Sequence, residues 1–160
     1  MGDVQPAAFR DALGIYKLIK RFSKEVLPRS LSDIATHIDR FFVFKDKNCI
    51  AGTVSWKILP EIGNEKEHII EIVSLCVDKK FHSKGVGRSL VEAVIDHILQ
   101  YEPTRIILLT FSPGFFEKFG FKRIAKEKLY SKIYLGCINC TKYTSPLNCP
   151  ELAMELKMGG

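Results

Sequence analysis

Several absences narrow the reading of this chain first. It has no stretch of about 18 apolar residues, the length a membrane-spanning helix needs. No apolar segment of the secretory-leader kind follows Met1. Met1-Gly2 is followed by Pro6 where a myristoylation signal requires Ser or Thr. Internal repeats, low-complexity linkers and the Walker A pattern G-x-x-x-x-G-K-[ST] are missing too. Nor does any run of about five or six like charges form a nucleic-acid arm. The expectation is a cytoplasmic protein with neither membrane nor nucleic acid as partner.

What is present fits a globular chain of 160 residues, 46% apolar and 26% charged, expected to form a single domain over 1–160. A chain of this length buries about two-thirds of the surface it exposes unfolded. The net charge of +6 is scattered, from Lys17 and Arg21 through Lys84 and Arg88 to Lys126 and Lys128. Such a distribution suits a solvated surface or attraction of a small anion.

The elements follow from periodicity. Pro6 opens a helical pattern, with Phe9, Leu13, Tyr16, Ile19 and Phe22 on or near one face. Ser30 is placed to cap a short helix over Leu31 to Ile38. Phe41–Phe44, a turn at Lys45–Asn48 and the alternating run Ile50, Gly52, Val54, Trp56, Ile58 predict a β-hairpin with Thr53, Ser55 and Lys57 on its polar face. Ile69–Val77 reads as a buried strand, interrupted by Glu71 and Ser74. Gly85–Leu99 reads as a helix with Val86, Leu90, Val91, Val94, Ile95, Ile98 and Leu99 inward. Then come a buried strand Arg105–Leu109, a short helix Phe115–Phe119 ended by Gly120, a strand from Phe121 and a last strand over Glu151–Leu156. The predicted class is α/β: a mixed sheet flanked by helices, antiparallel in its first half and crossing over in parallel in its second.

The informative segment is His82-Ser83-Lys84-Gly85-Val86-Gly87-Arg88-Ser89, which joins a buried strand to an amphipathic helix. Glycines there let backbone approach a ligand closely, and the N–H groups at the helix start form a cradle for a pyrophosphate. Lys84 and Arg88 add positive charge. A Rossmann fingerprint needs Gly or Ala where Leu90 stands. An ordinary glycine-rich turn is the plain alternative.

His82-Ser83-Lys84-Gly85-Val86-Gly87 resembles the R/Q-x-x-G-x-G/A motif of the GNAT N-acetyltransferases, with His82 departing at its first position. Phe115-Phe116-Glu117-Lys118-Phe119-Gly120-Phe121 resembles their L-Y-x-K-x-G-F element. From Leu27 to Leu156 the motifs Leu27-Pro28-Arg29-Ser30, Phe41-Phe42-Val43, Leu108-Leu109-Thr110-Phe111, Ser131-Lys132-Ile133-Tyr134 and Cys149-Pro150-Glu151-Leu152 occur in order. In these the chain resembles the short, stand-alone amino-acid N-acetyltransferases that make N-acetylglutamate at the start of arginine biosynthesis.

The resemblance implies acetyl-CoA as co-substrate, held by residues 82–89 with Cys76, Val77 and Phe116, and a small amino acid, glutamate, as acceptor. Glutamine, another amino acid, a polyamine or a protein amine are alternative acceptors, and a non-catalytic acyl-CoA sensor is a different class. A homodimer is allowed. Glu71 is the candidate base, since a carboxylate in an apolar strand is a good proton acceptor near neutral pH; a structural core carboxylate is the other reading. The resemblance makes the Val77 N–H the oxyanion donor. It also puts Phe116 where the superfamily often carries an acidic tyrosine, leaving Ser112 and Tyr134 as stand-ins. Arg29, Lys132 and Ser74 are candidate acceptor ligands, because a dicarboxylate needs fixed cations or donors. Cys49 and Cys76 read as inert core thiols. Cys137, Cys140 and Cys149 form three-quarters of a zinc set, but no histidine follows His97 to complete it; a disulfide or redox pair and plain thiols are the other readings.

Overall fold

The structure is a computed structural model and describes residues 2–59, 66–126 and 151–158. Its seven-stranded sheet runs in the order β1-β2-β3-β4-β5-β7-β6. The strands are β1 Asp3–Pro6, β2 Phe41–Asp46, β3 Cys49–Leu59, β4 Ile69–Val77, β5 Arg105–Thr110, β6 Lys122–Ile124 and β7 Leu152–Lys157. The helices are α1 Ala12–Arg21, α2 Leu31–Thr36, α3 Val86–Ile98 and α4 Pro113–Glu117. β4 and β5 pair in parallel, and β1·β2, β2·β3, β5·β7 and β6·β7 pair antiparallel. The parallel crossover is therefore confined to β4–β5, after which the sheet returns to antiparallel. Two compact units are present, Met1–Lys57 with Ile72–Gln100, and Ile58–Glu71 with Tyr101–Gly160.

In the first unit, Pro6 ends a strand rather than opening a helix, and it stands opposite Phe42 in β2. β1 is an edge strand, where proline's missing N–H costs no ladder bond. The helix starts only at Ala12, and its inner face is Ala12, Ile15, Leu18 and Ile19. Phe9 and Leu13, expected inward, are exposed. The inner face joins Ile34, Ile38, Phe41, Val43 and Cys76 in one apolar cluster. Ser30 caps α2 as expected, its Oγ accepting from the Asp33 N–H at 3.0 Å. The hairpin also forms: Asp46 pairs with Cys49, and Lys47 and Asn48 between them have φ of 49° and 67°. Left-handed backbone at both turn positions is what a two-residue hairpin loop needs.

β3 departs from its expected alternation. Thr53 and Ser55 are fully buried, and Ile58 is exposed. Both faces are covered, as befits a central strand, and the hydroxyls are satisfied by β2 side carbonyls: Thr53 Oγ1 donates to Phe42 O at 3.0 Å and Ser55 Oγ to Arg40 O at 2.7 Å. Cys49 is exposed, not core, because it sits at the hairpin end. In α3, Val86, Leu90, Val91, Val94 and Ile98 are buried as predicted. Leu99 is exposed, since the helix gives way there to a 3₁₀ turn over Leu99–Tyr101. Gly52 lets α3 lie close on β3: a Cβ there would stand 2.9 Å from Leu90 Cδ1 and 3.2 Å from Val86 Cγ1.

In the second unit, Leu59, Ile69, Ile107 and Ala153 form the apolar cluster. Arg105, nearly buried at the start of β5, bridges Glu155 at 3.1 Å and Glu67 at 3.4 Å. α4 starts earlier than expected because Pro113 supplies a preset first turn. Gly120, at φ 93°, follows it.

Candidate functional site

β4 is not a regular strand. Ser74, in its middle, has φ 57°, left-handed backbone that a serine adopts only at a cost. Val73, Ser74 and Leu75 are half-buried, between the buried Ile69–Ile72 and Cys76. Arg29, just before α2, meets this irregularity. Its Nη1 lies 3.4 Å from Ser74 Oγ, its Nε donates to Asp33 Oδ2 at 2.6 Å, and its guanidinium lies 4.8 Å over the Phe41 ring. Two predicted acceptor ligands are thus brought together. The Arg29 guanidinium, and more weakly the His37 ring, hold the Asp33 carboxyl below its ordinary range against the effect of burial.

Past Val77 the chain enters the predicted cradle through Asp78. The Asp78 N–H donates to Ala51 O of β3 at 2.7 Å. Its Oδ1 accepts from the Lys80 N–H at 3.0 Å and its Oδ2 from Arg21 Nη1 at 3.0 Å. The Lys80 N–H, then Arg21, hold the Asp78 carboxyl below its usual value. Neither Asp78 nor Arg21 was expected from sequence; the Asp-x-Lys turn after a strand was the available signal.

The cradle spans His82–Gly85, and α3 starts at Val86. Ser83 and Gly85 have φ of 62° and 81°. Alternating left-handed residues turn successive N–H groups toward one side and make a concavity for an anion. The first N–H donors of α3 have no intrahelical carbonyl to bond; the Ser89 N–H reaches back to Gly85 O, at 3.0 Å. Among the described residues, a Cβ added at Gly85 would meet nothing within 4 Å, so they leave that position of the cradle open. His82, Ser83, Lys84, Arg88 and Ser89 are exposed, Gly87 is half-buried and Val86 points into the core. Lys84 Nζ sits 5.5 Å from the Phe81 ring centre, and Arg88 pairs with Glu92 at 2.8 Å. The His82 Nε2 lies 2.8 Å from the Val77 carbonyl oxygen. These residues fit a diphosphate in kind: left-handed backbone at Ser83 and Gly85 leads into a helix start, and Lys84 and Arg88 are exposed there.

Cys76 is buried beside this segment, and burial pushes its thiol up to about 12, with Arg21 opposing. It is no nucleophile at neutral pH. Among the other predicted residues, Glu71 is fully buried on β4. Phe116 is buried in α4 among Phe115, Phe119 and Phe121, with centroids 4.9 to 6.5 Å away. Ser112 precedes α4 and is exposed. Lys132, Tyr134, Cys137, Cys140 and Cys149 lie outside the described residues. Among the described residues no group of three or more His, Cys, Asp or Glu could hold a metal ion, and no helix is long and apolar enough to cross a membrane.

Residues 10–121 match the Acetyltransferase (GNAT) family. An uncharacterized N-acetyltransferase of Chlorobaculum tepidum is 33% identical over 153 residues, covering 94% of this chain and 93% of that protein. Among solved structures, Rv2747 of Mycobacterium tuberculosis, in complex with CoA and a second ligand, is similar at a TM-score of 0.79 and 20% identity, covering 98% of this chain and 99% of that one. N-acetylglutamate synthase of Neisseria gonorrhoeae, complexed with coenzyme A and N-acetyl-glutamate, is similar at a TM-score of 0.78 and 18% identity; all of this chain aligns with 36% of that longer one.

Proposed function

The chain belongs to the GNAT acetyltransferase family, and from that premise we propose that it transfers the acetyl group of acetyl-CoA to the α-amino group of L-glutamate, in the cytoplasm, as the first step of arginine biosynthesis. The observation that carries the acceptor is the Arg29 fork. It is held by Asp33, Ser74 and the Phe41 ring, and two of its five N–H groups are used in these contacts among the described residues. A rigid guanidinium of this kind suits a carboxylate better than a mobile lysine does. The fold shared with N-acetylglutamate synthase supports the same reading.

In this proposal the backbone N–H groups of the loop from Ser83 to Arg88, between His82 and Ser89, hold the CoA diphosphate, with Lys84 and Arg88 supplying charge. Glu71 takes a proton from the acceptor ammonium, through a water where needed. The freed amine attacks the thioester carbonyl, the oxyanion accepts from the Val77 N–H, the C–S bond breaks to release CoA thiolate, and the second proton of the nitrogen passes to solvent water, leaving the neutral amide. Phe116 has no proton to give, so the thiolate leaves as the anion. Arg29 and Ser74 orient the glutamate carboxylates, with Lys132 as a further cation.

Purified protein supplied with acetyl-CoA and a panel of amines, with free thiol followed, tests this. Glutamate should be turned over with the highest kcat/KM. Turnover of another amine with none of glutamate rejects the acceptor. CoA binding without turnover of any amine rejects catalysis and leaves a sensor.

A further inference from the structure

His82 stands at the first position of the cradle motif, where a side chain would be expected to face the phosphates. Its ring is engaged instead with the backbone of β4. Nε2 lies 2.8 Å from the Val77 carbonyl oxygen, and because a carbonyl can only accept, Nε2 carries the hydrogen and donates it. The other end of the same peptide group, the Asp78 N–H, donates to Ala51 O at 2.7 Å. The Val77–Asp78 peptide plane is therefore tied at both ends, to β3 on one side and to the cradle on the other. The Asp78 carboxylate adds two more ties, to the Lys80 N–H and to Arg21, each at 3.0 Å. Phe22, at the end of α1, flanks the imidazole with a centroid separation of 6.4 Å.

We propose that His82 is a positioning residue for the acyl end of the acetyl-CoA site, fixing the Val77–Asp78 peptide plane and so the way β4 presents Val77, instead of ligating the diphosphate. The inference rests on the acetyl-CoA reading of the loop. Of the four ties on this peptide and the Asp78 side chain, the His82 bond alone acts on the Val77 carbonyl. Losing it frees the backbone torsion that follows Val77; the Val77 N–H, on the preceding peptide, shares that Cα, and a donor aimed at reacting atoms is sensitive to small displacements.

The test compares kcat/KM for acetyl-CoA and for acetylpantetheine, which lacks the diphosphate, in the native protein, His82→Ala and His82→Gln. Removing one neutral hydrogen bond is expected to lower kcat/KM by about tenfold. That loss should be the same with both acyl donors. Glutamine, whose side-chain amide can donate to the same carbonyl, should return the rate to within about threefold of native. A loss confined to acetyl-CoA would make His82 a diphosphate ligand and overturn the proposal. So would a glutamine variant as slow as alanine, or no loss in either. Hydrogen exchange at the Asp78 amide separates failure of this inference from failure of the acetyl-transfer reading. Exchange about tenfold faster in His82→Ala but not in His82→Gln supports the tie even if no amine is acetylated, and unchanged exchange overturns it.

Discussion

Replacing Gly85 by alanine separates what the fold needs at the cradle from what the ligand needs. Gly85 caps α3 at φ 81°, and a Cβ there meets nothing within 4 Å among the described residues. The cost to the protein without ligand is therefore conformational alone, about 1–2 kcal/mol for an L-residue in left-handed backbone. In a domain of this length that lowers the melting temperature by roughly 2–8 °C. The cost to binding is larger, because the methyl group fills the space through which a diphosphate reaches the N–H donors. Losing one or two charge-assisted bonds of about 1.5–3 kcal/mol raises KM for acetyl-CoA tenfold or more. Gly85→Asn divides the two effects, since asparagine tolerates this backbone better but still carries a side chain. It should recover most of the melting temperature and little of the KM. Thermal unfolding and initial rates across acetyl-CoA concentrations read both. A Gly85→Ala protein that loses melting temperature but keeps its native KM refutes the cradle.

Glu71→Gln should lower kcat by about 10²-fold near neutral pH, with the loss shrinking as rising pH deprotonates the acceptor amine in solution; a pH-independent deficit, or none, removes the base role. Arg29→Lys keeps the charge but not the fork, and should raise KM for glutamate about tenfold or more while leaving KM for acetyl-CoA near native, as read by varying each substrate in turn. Asp11 is buried, which alone would raise its carboxyl, but the hydrogen bonds from Lys45, at 2.7 Å, and from the Ala8 N–H, at 2.8 Å, outweigh that and bring it below the ordinary 3.8. The folded state therefore favours the ionised form. The stabilisation is present above pH 3.8 and fades as the pH falls below it. Asp11→Asn should lower stability at neutral pH by about 1–3 kcal/mol and flatten the acid limb of a denaturation series. Among the cysteines of the described residues, alkylation followed by peptide mass mapping should label exposed Cys49 quickly and Cys76 only on unfolding, as the buried thiol stays protonated.

The strand–cradle–helix segment was legible in sequence because two local signals coincide there. Glycines mark where backbone must turn left-handed or lie open, and the spacing Val86, Leu90, Val94, Ile98 marks the face that must be buried. The hairpin was legible for the same reason, with Asn48 tolerant of positive φ at its tip. What escaped is non-local. β1 is short and ends in proline, so its strand character comes from pairing with Phe42–Lys45 far along the chain. The polar face expected of β3 vanished because the strand is central, and Thr53 and Ser55 bond to carbonyls that no pattern within β3 reveals. Arg29 and Ser74 were visible as candidate ligands, but Asp33 was not, nor was the pairing of Asp33 and Ser74 with the Arg29 guanidinium. Arg21 and Asp78 lie 57 positions apart, and only the folded chain joins them.

Ser74 carries a consequence for anyone redesigning this protein. A serine at φ 57° in mid-strand keeps the chain below its own stability optimum, and glycine would relieve that strain directly. A search for stabilising substitutions would rank Ser74→Gly highly. The same exchange deletes the hydroxyl facing Arg29 and loosens the bend that half-exposes β4 between two buried stretches. On the role proposed for Ser74, stability and acetyl transfer conflict at one residue, and a hardened variant for use at elevated temperature should be built around that serine rather than through it.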